Sequence, residues 1–258
     1  MNTLLGKTIV VTGGAGLLGR ELCLAIAAAE GRVVVADVDE SKARSCADEI
    51  NAARTDKRAF GIALDITDSS SIRSAIQVIE ESEGKIDALV NSAYPRNREY
   101  GRKLEDVTYE SFCENVALHL GGYFLASKEF AVYFKSRGGG NIISMSSIYG
   151  MVAPRFEIYE GTTMTMPVEY AAIKSGIQNV MRYMAKYYRG CNVRFNCVSP
   201  GGIKDQQPAS FLTRYAEYSM SKGMLDPKDL TGTLVFLLSD DSRFINGQNI
   251  IVDDGWSL

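Results

Sequence analysis

The sequence predicts an α/β fold: one doubly wound domain on a parallel sheet of about seven strands, with helices on both faces. Three observations predict it. Short apolar, β-branched runs alternate with longer amphipathic stretches along the chain. The first run ends in a glycine-rich turn that opens a helix. An aspartate closes the second run, 18 residues after the last glycine of that turn. With 258 residues, 46% of them hydrophobic, the chain can bury a large core. A formal charge of −3 argues against a nucleic-acid surface. No run of 18 apolar residues is present, so no membrane span is expected.

The first strand is Thr8-Ile9-Val10-Val11-Thr12, a buried parallel strand by its composition. It runs into Thr12-Gly13-Gly14-Ala15-Gly16-Leu17-Leu18-Gly19, and a helix follows to residue 29. Glycines allow a sharp turn and a close approach to a pyrophosphate, and the helix N-terminus offers amide donors and the positive dipole end. Strand, turn, helix and the downstream acid together point to a dinucleotide site. The second strand, residues 32–37, ends at Asp37. A carboxylate there accepts hydrogen bonds from ribose hydroxyls and repels a 2′-phosphate. Val38 follows, so no adjacent arginine welcomes that phosphate, and NAD is expected over NADP.

Residues 60–68 form the third strand and its turn, 70–82 an amphipathic helix, and 86–93 the fourth strand and its end. Asp68 and the serines after it can cap that helix. Beyond the fourth strand, residues 95–103 form a basic loop at the sheet edge where open α/β sheets bind ligands. Arg96 and Arg98 can hold a substrate phosphate or carboxylate there, or simply face solvent. A helix is expected over 109–135, carrying His119, the only histidine. The fifth strand is 141–147 and the sixth, with its turn, 192–203; the stretch 204–224, with Phe211, Arg214, Tyr215 and Tyr218, reads as a mobile lid. A helix over 226–238 and a last strand and tail over 247–256 complete the pattern.

Tyr170-Ala171-Ala172-Ile173-Lys174 lies between the fifth and sixth strands. Residues four apart share a helix face. An ammonium beside a phenol, whose ordinary pKa is about 10, favours the phenolate. Such a tyrosine can exchange a proton with an alcohol or ketone oxygen.

The glycine turn, the Ser146-Ser147 pair at a strand end and the Tyr-x-x-x-Lys spacing, in this order, resemble the short-chain dehydrogenase/reductase family over nearly the whole chain. The resemblance implies a Rossmann-type fold and a role for each matching position. Ser147, by its place before Ile148-Tyr149-Gly150, matches the catalytic serine, with Ser146 the runner-up. Tyr170 matches the acid–base, and Lys174 the residue that lowers its pKa and binds ribose. Gly13, Gly16, Leu17, Leu18, Asp65, Ile66, Asn91, Ala93, Pro200, Gly201 and Ile203 match cofactor-lining positions, joining Asp37, Tyr170 and Lys174.

The chain also departs from the family. Its Thr-Gly-x-x-Gly-x-x-Gly turn is similar to the extended branch, which includes nucleotide-sugar epimerases and dehydratases. Tyr94 stands where a glycine is usual, and a tyrosine there can shape the substrate mouth or cover the core. The relay asparagine, seven residues after an aromatic, is His119 here; Asn115 lies one turn too early. A histidine there can hold the relay water or relay protons itself near neutral pH. Asp205 replaces a threonine that bonds the carboxamide. From Ser147 to Tyr170 the chain is longer than in the short branch; the extra segment, 152–167 with Arg155, is expected to face the substrate, being too small to fold alone.

The reading is a reversible, NAD-dependent oxidation of a secondary alcohol in a sugar, sugar phosphate or nucleotide sugar, as in bacterial surface-glycan pathways the chain is similar to. Tyr94, Arg96, Arg98, Arg155 and Arg214 are the candidate substrate residues. Two alternatives stay open: an epimerase or dehydratase that retains NAD, although the larger C-terminal domain of such enzymes is not in this sequence, and a non-catalytic NAD sensor. No metal is expected: the five cysteines, Cys23, Cys46, Cys113, Cys191 and Cys197, lack ligand spacing and suit a reducing cytoplasm. The N-terminus, from Met1 and Asn2, shows no leader pattern. A homodimer or homotetramer through the two long helices is implied by the resemblance.

Overall fold

Seven short strands, the central ones apolar and buried on both faces, form one wholly parallel sheet in a computed structural model that describes residues 3–258. Met1 and Asn2, the start of the stretch expected to show no leader pattern, lie outside the described residues. The strands are β1 Thr8–Thr12, β2 Arg32–Asp37, β3 Ala59–Ala63, β4 Ala88–Asn91, β5 Gly140–Met145, β6 Val193–Pro200 and β7 Asn249–Val252. Their order is β3-β2-β1-β4-β5-β6-β7, parallel throughout. The chain winds outward from β1 to β3 and then returns to lay β4 beside β1. In register, Thr12 stands opposite Asn91, and Asn91 opposite Ser144. The C-terminal ends of β1, β4 and β5 are therefore level, and the crevice between β1 and β4 is the topological switch point where such sheets bind ligands.

The helices are α1 Leu17–Ala28, α2 Glu40–Ala52, α3 Ser69–Glu83, α4 Tyr109–Val116, α5 Gly122–Ser136, α6 Val168–Tyr187, α7 Ala209–Ala216 and α8 Thr231–Leu238. The alternation of strand side chains divides the core between the two faces. Val10 joins Ile72, Phe130, Phe134, Ile173 and Ile177 under α3, α5 and α6. Its neighbours Ile9 and Val11 join Leu22, Ile26, Leu234 and Leu237 under α1, α2 and α8. Full burial of each such side chain stabilises the fold by about 1.5–3 kcal/mol. Asp68 caps α3, its Oδ1 accepting from Ser70 N at 2.8 Å.

Two elements differ from the sequence reading. The helix expected over 109–135 is present as one helical run, but a π turn, Ala117–Gly121, lies within it between α4 and α5 and carries His119. A π turn holds one extra residue per turn, which re-aims the side chains on it and often marks a functional site. The segment 226–238 begins instead as a tighter 3₁₀ turn, Pro227–Leu230, with Asp226 and Asp229 capping each other's backbone, before α8. The segment 152–167 contributes a short turn, Phe156–Tyr159. Its Ile158 and Tyr159 pack with Phe211 and Tyr215 of α7 and with Trp256 of the tail, in a third apolar cluster.

Candidate active site

A cleft of about 1140 Å³ runs along the C-terminal edge of the sheet across the switch point. At one end lies the glycine turn. Gly13 has φ +63°, and a Cβ on it would stand 2.6 Å from Ala93 Cα. A Cβ on Gly19 would stand 2.1 Å from Gly13 O, so α1 packs directly on the turn. Gly13, Gly16, Leu17 and Leu18 line the cleft here. The first-turn amides of a helix have no partner within it. Asp37 stands beside them, Oδ1 accepting from Asp39 N at 3.2 Å and Oδ2 from Ala15 N at 3.3 Å. Leu64, Asp65, Ile66 and Ala93 continue the wall, and Pro200, Gly201, Ile203 and Asp205 face it. These groups fit a dinucleotide: helix amides for the pyrophosphate, a carboxylate for ribose hydroxyls, apolar side chains for the adenine.

At the other end α6 presents Tyr170 and Lys174, one turn apart, against the end of β5. Lys174 is buried, and its Nζ donates to Met145 O at 2.9 Å and lies 3.4 Å from His119 Nε2. It also sits 5.4 Å from the ring centroid of Tyr170, 5.6 Å from that of Tyr123 and 5.8 Å from that of Tyr94. Burial lowers the Lys174 ammonium to about 7. Burial raises the Tyr170 phenol above its ordinary value, and the Ser147 hydroxyl is the neighbour that pulls it back down. Both charged forms are penalised by the same dry surroundings.

The two serines separate by their hydrogen bonds. Ser146 Oγ donates to Lys174 O at 2.8 Å and accepts from Gln178 Nε2 at 3.0 Å, so it bolts β5 to α6. Ser147 Oγ accepts from Tyr149 N at 3.2 Å and keeps its own proton for another acceptor. Burial, and then the nearby Lys174 charge, hold His119 well below its ordinary value. Both causes favour the neutral ring facing Lys174, in which one ring nitrogen is free to accept.

Four other candidates are corrected in position. Asn91 does not line the cleft; its Nδ2 donates to Ser127 Oγ at 2.9 Å and Ser144 Oγ at 3.1 Å, tying β4 to α5 and β5. Arg98 is exposed and off the lining. Arg155 stacks over Tyr218 at 4.3 Å and Trp256 at 5.3 Å, behind the wall rather than in it. Arg214 is held by Glu160 O. Tyr94 and Arg96 do line the cleft, with Tyr100, Tyr149, Tyr159, Met164, Met166 and Gln207, none of the latter six predicted as site residues. Tyr159, Met164 and Met166 belong to the 152–167 segment expected to face the substrate; Tyr100, Tyr149 and Gln207 match no motif that would mark them. Among the described residues no three His, Cys, Asp or Glu side chains gather as a metal site, and no helix is long and apolar enough to cross a membrane.

Known proteins match this arrangement over its length. A family model described as enoyl-(acyl carrier protein) reductase matches residues 14–257. Post-translational flagellin modification protein A of Campylobacter coli is 44% identical over 253 residues, covering 98% of both chains. A 7alpha-hydroxysteroid dehydrogenase of Bacteroides fragilis is 30% identical over 267 residues, covering 100% of this chain and 97% of its own. Among solved structures, a short chain dehydrogenase of Leptospira borgpetersenii with bound NAD+ superposes with a TM-score of 0.86 at 30% identity, covering 99% of this chain and 94% of that one.

Proposed function

The chain belongs to the short-chain dehydrogenase/reductase family, as an oxidoreductase acting on alcohol groups, and on that premise we propose that it oxidises a secondary alcohol of a sugar, sugar phosphate or nucleotide sugar with NAD. The observation that carries the reading is the cleft itself: Asp37 at one end, and Ser147, Tyr170 and the buried Lys174–His119 pair at the other. Ser147 donates a hydrogen bond to the substrate oxygen. Tyr170 exchanges that oxygen's proton. Lys174, fixed by Met145 O, binds ribose and supplies positive charge when Tyr170 gives up its proton. His119 takes the place of the relay asparagine as a neutral acceptor on Lys174. When bound, NAD supplies the hydride acceptor, and the protein supplies geometry and electrostatics. The likeness to a flagellin modification protein supports a sugar substrate in surface-glycan biosynthesis, in the cytoplasm. A homodimer or homotetramer through α5 and α6 fits Phe124, Val132, Tyr183 and Tyr187, large apolar side chains left exposed on those helices.

The test is the rise in absorbance at the NADH band with sugars, sugar phosphates and nucleotide sugars, NAD or NADP supplied. A signal with NAD and a sugar-class alcohol is expected; silence across that panel beside turnover of a steroid alcohol would sink the substrate reading. The cofactor choice has its own check. Asp37→Ser with Val38→Arg removes the carboxylate and adds a guanidinium beside the ribose. The NAD-over-NADP ratio of kcat/KM is expected to fall by about 100-fold or more. An unchanged ratio would remove Asp37 from its assigned role.

A further inference from the structure

We propose that Arg96 is a specificity-determining residue that binds an anionic group on the substrate, a phosphate ester or carboxylate several bonds from the alcohol carbon; this rests on the reading of the cleft as a sugar dehydrogenase site. Arg96 and Lys174 are the cationic side chains in the cleft lining. Lys174 is committed to Met145 O and His119. Arg96 is exposed, and no carboxylate among the described residues pairs with it. Of the other arginines near the cleft, Arg102 pairs with Glu99 at 2.8 Å, Arg155 is stacked on the tail, Arg214 is held by Glu160 O, and Arg98 is exposed off the lining. The lining acids Asp37 and Asp65 lie toward the dinucleotide end and Asp205 on the turn after Ile203, not on the arginine loop. Much of the wall around the reacting end is aromatic or methionine, so the guanidinium is its main charged determinant for a substrate.

The arginine is also held in place. Its guanidinium lies 5.1 Å from the ring centroid of Tyr94, and that ring is 6.1 Å from the ring of Tyr170. One aromatic ring therefore separates the cation from the proton-exchanging phenol. Tyr94 OH shares a hydrogen bond of 2.8 Å with Tyr100 OH, which steadies the ring. The loop behind it is tied down by a buried network. Asn97 N donates to Asn115 Oδ1 at 2.9 Å, and Asn115 Nδ2 donates to Asn97 Oδ1 at 3.1 Å and to Glu169 Oε1 at 3.3 Å. Asn115 and Glu169 are both buried, and Glu169 directly precedes Tyr170. The loop that carries the cation and the helix that carries the phenol are thus joined through Asn115. A guanidinium carried one aromatic ring away from the Tyr170 phenol can bind two oxygens of a carboxylate or phosphate bidentately and so orient the substrate as well as bind it.

The experiment is calorimetric titration of the NADH-saturated enzyme with sugar phosphates, sugar acids and their neutral parent sugars. At least one anionic class is expected to bind about 10- to 100-fold tighter than its neutral parent. Arg96→Ala should collapse that preference, Arg96→Lys should restore part of it, and Arg98→Ala, two residues on and off the lining, should keep it. Whichever of the phosphate and carboxylate arms shows the preference names the group. Equal binding of neutral and anionic sugars, no binding of any anion, or a preference that survives Arg96→Ala would overturn the proposal. Turnover at the NADH band judges the dehydrogenase reading separately, because the titration needs no chemistry.

Discussion

Tyr170→Phe is expected to lower kcat by about 10²- to 10⁴-fold, the range that a positioned acid–base group contributes, while NAD binds within about twofold of the wild type. The substitution removes one oxygen from a half-buried ring that packs against Tyr94 and Tyr149's cluster, so the fold has little to lose. The proton leaving the alcohol then has no acceptor in place, since Ser147 is a neutral hydroxyl and Lys174 faces Met145 O and His119 instead. Single-turnover absorbance at the NADH band, with NAD affinity read by titration, separates the two effects. Activity within tenfold of the wild type would mean that another group carries the proton. Joint loss of activity and NAD binding would mean a structural role.

Lys174→Met is expected to abolish measurable turnover and at the same time to stabilise the cofactor-free protein near neutral pH. The sign follows from the pKa. Burial lowers the folded-state value to about 7, from an ordinary value of 10.5 that the unfolded chain retains. Between those values the unfolded chain binds a proton that the folded protein has released, so stability rises with pH across that window. At and below pH 7 the full cost of burying the ammonium is present; toward pH 10 it fades. Methionine fills similar space without charge. The variant should therefore exceed the wild type by about 1–3 kcal/mol at pH 7, or roughly 3–10 °C in Tm, with the gap closing by pH 10. A gap that is constant with pH, or a less stable variant at pH 7, would contradict a buried, strained ammonium. The neighbouring position gives the control: His119→Asn keeps an acceptor facing Lys174 and should hold activity within about tenfold, whereas His119→Leu should cost about 10- to 100-fold by leaving a donor unpaired.

The sequence by itself determined what depends on local chemistry. Period and composition placed the seven strands, because a strand buried on both faces must be apolar through its middle, as residues 9–11 and 33–36 are. The glycine turn was legible because Gly13 needs a left-handed backbone and Gly19 has no room for a side chain. Tyr170 and Lys174 were legible as neighbours because four residues make about one helical turn. The tertiary structure decided what depends on packing between distant segments. It set a π turn within the helix at His119 and buried that ring beside Lys174, and burial is invisible to spacing. It gave Ser146 to a structural bond and left Ser147 free, although the two are adjacent and identical in type. It turned Arg155 and Arg214 away from the cleft and kept Arg96 in it, because a long charged side chain reaches whichever partner the folded chain brings near: Tyr218 and Trp256, tens of residues away, for Arg155, and Glu160, equally distant, for Arg214, whereas Arg96 stays over Tyr94, two residues before it, on a loop that Asn115 ties down through Asn97.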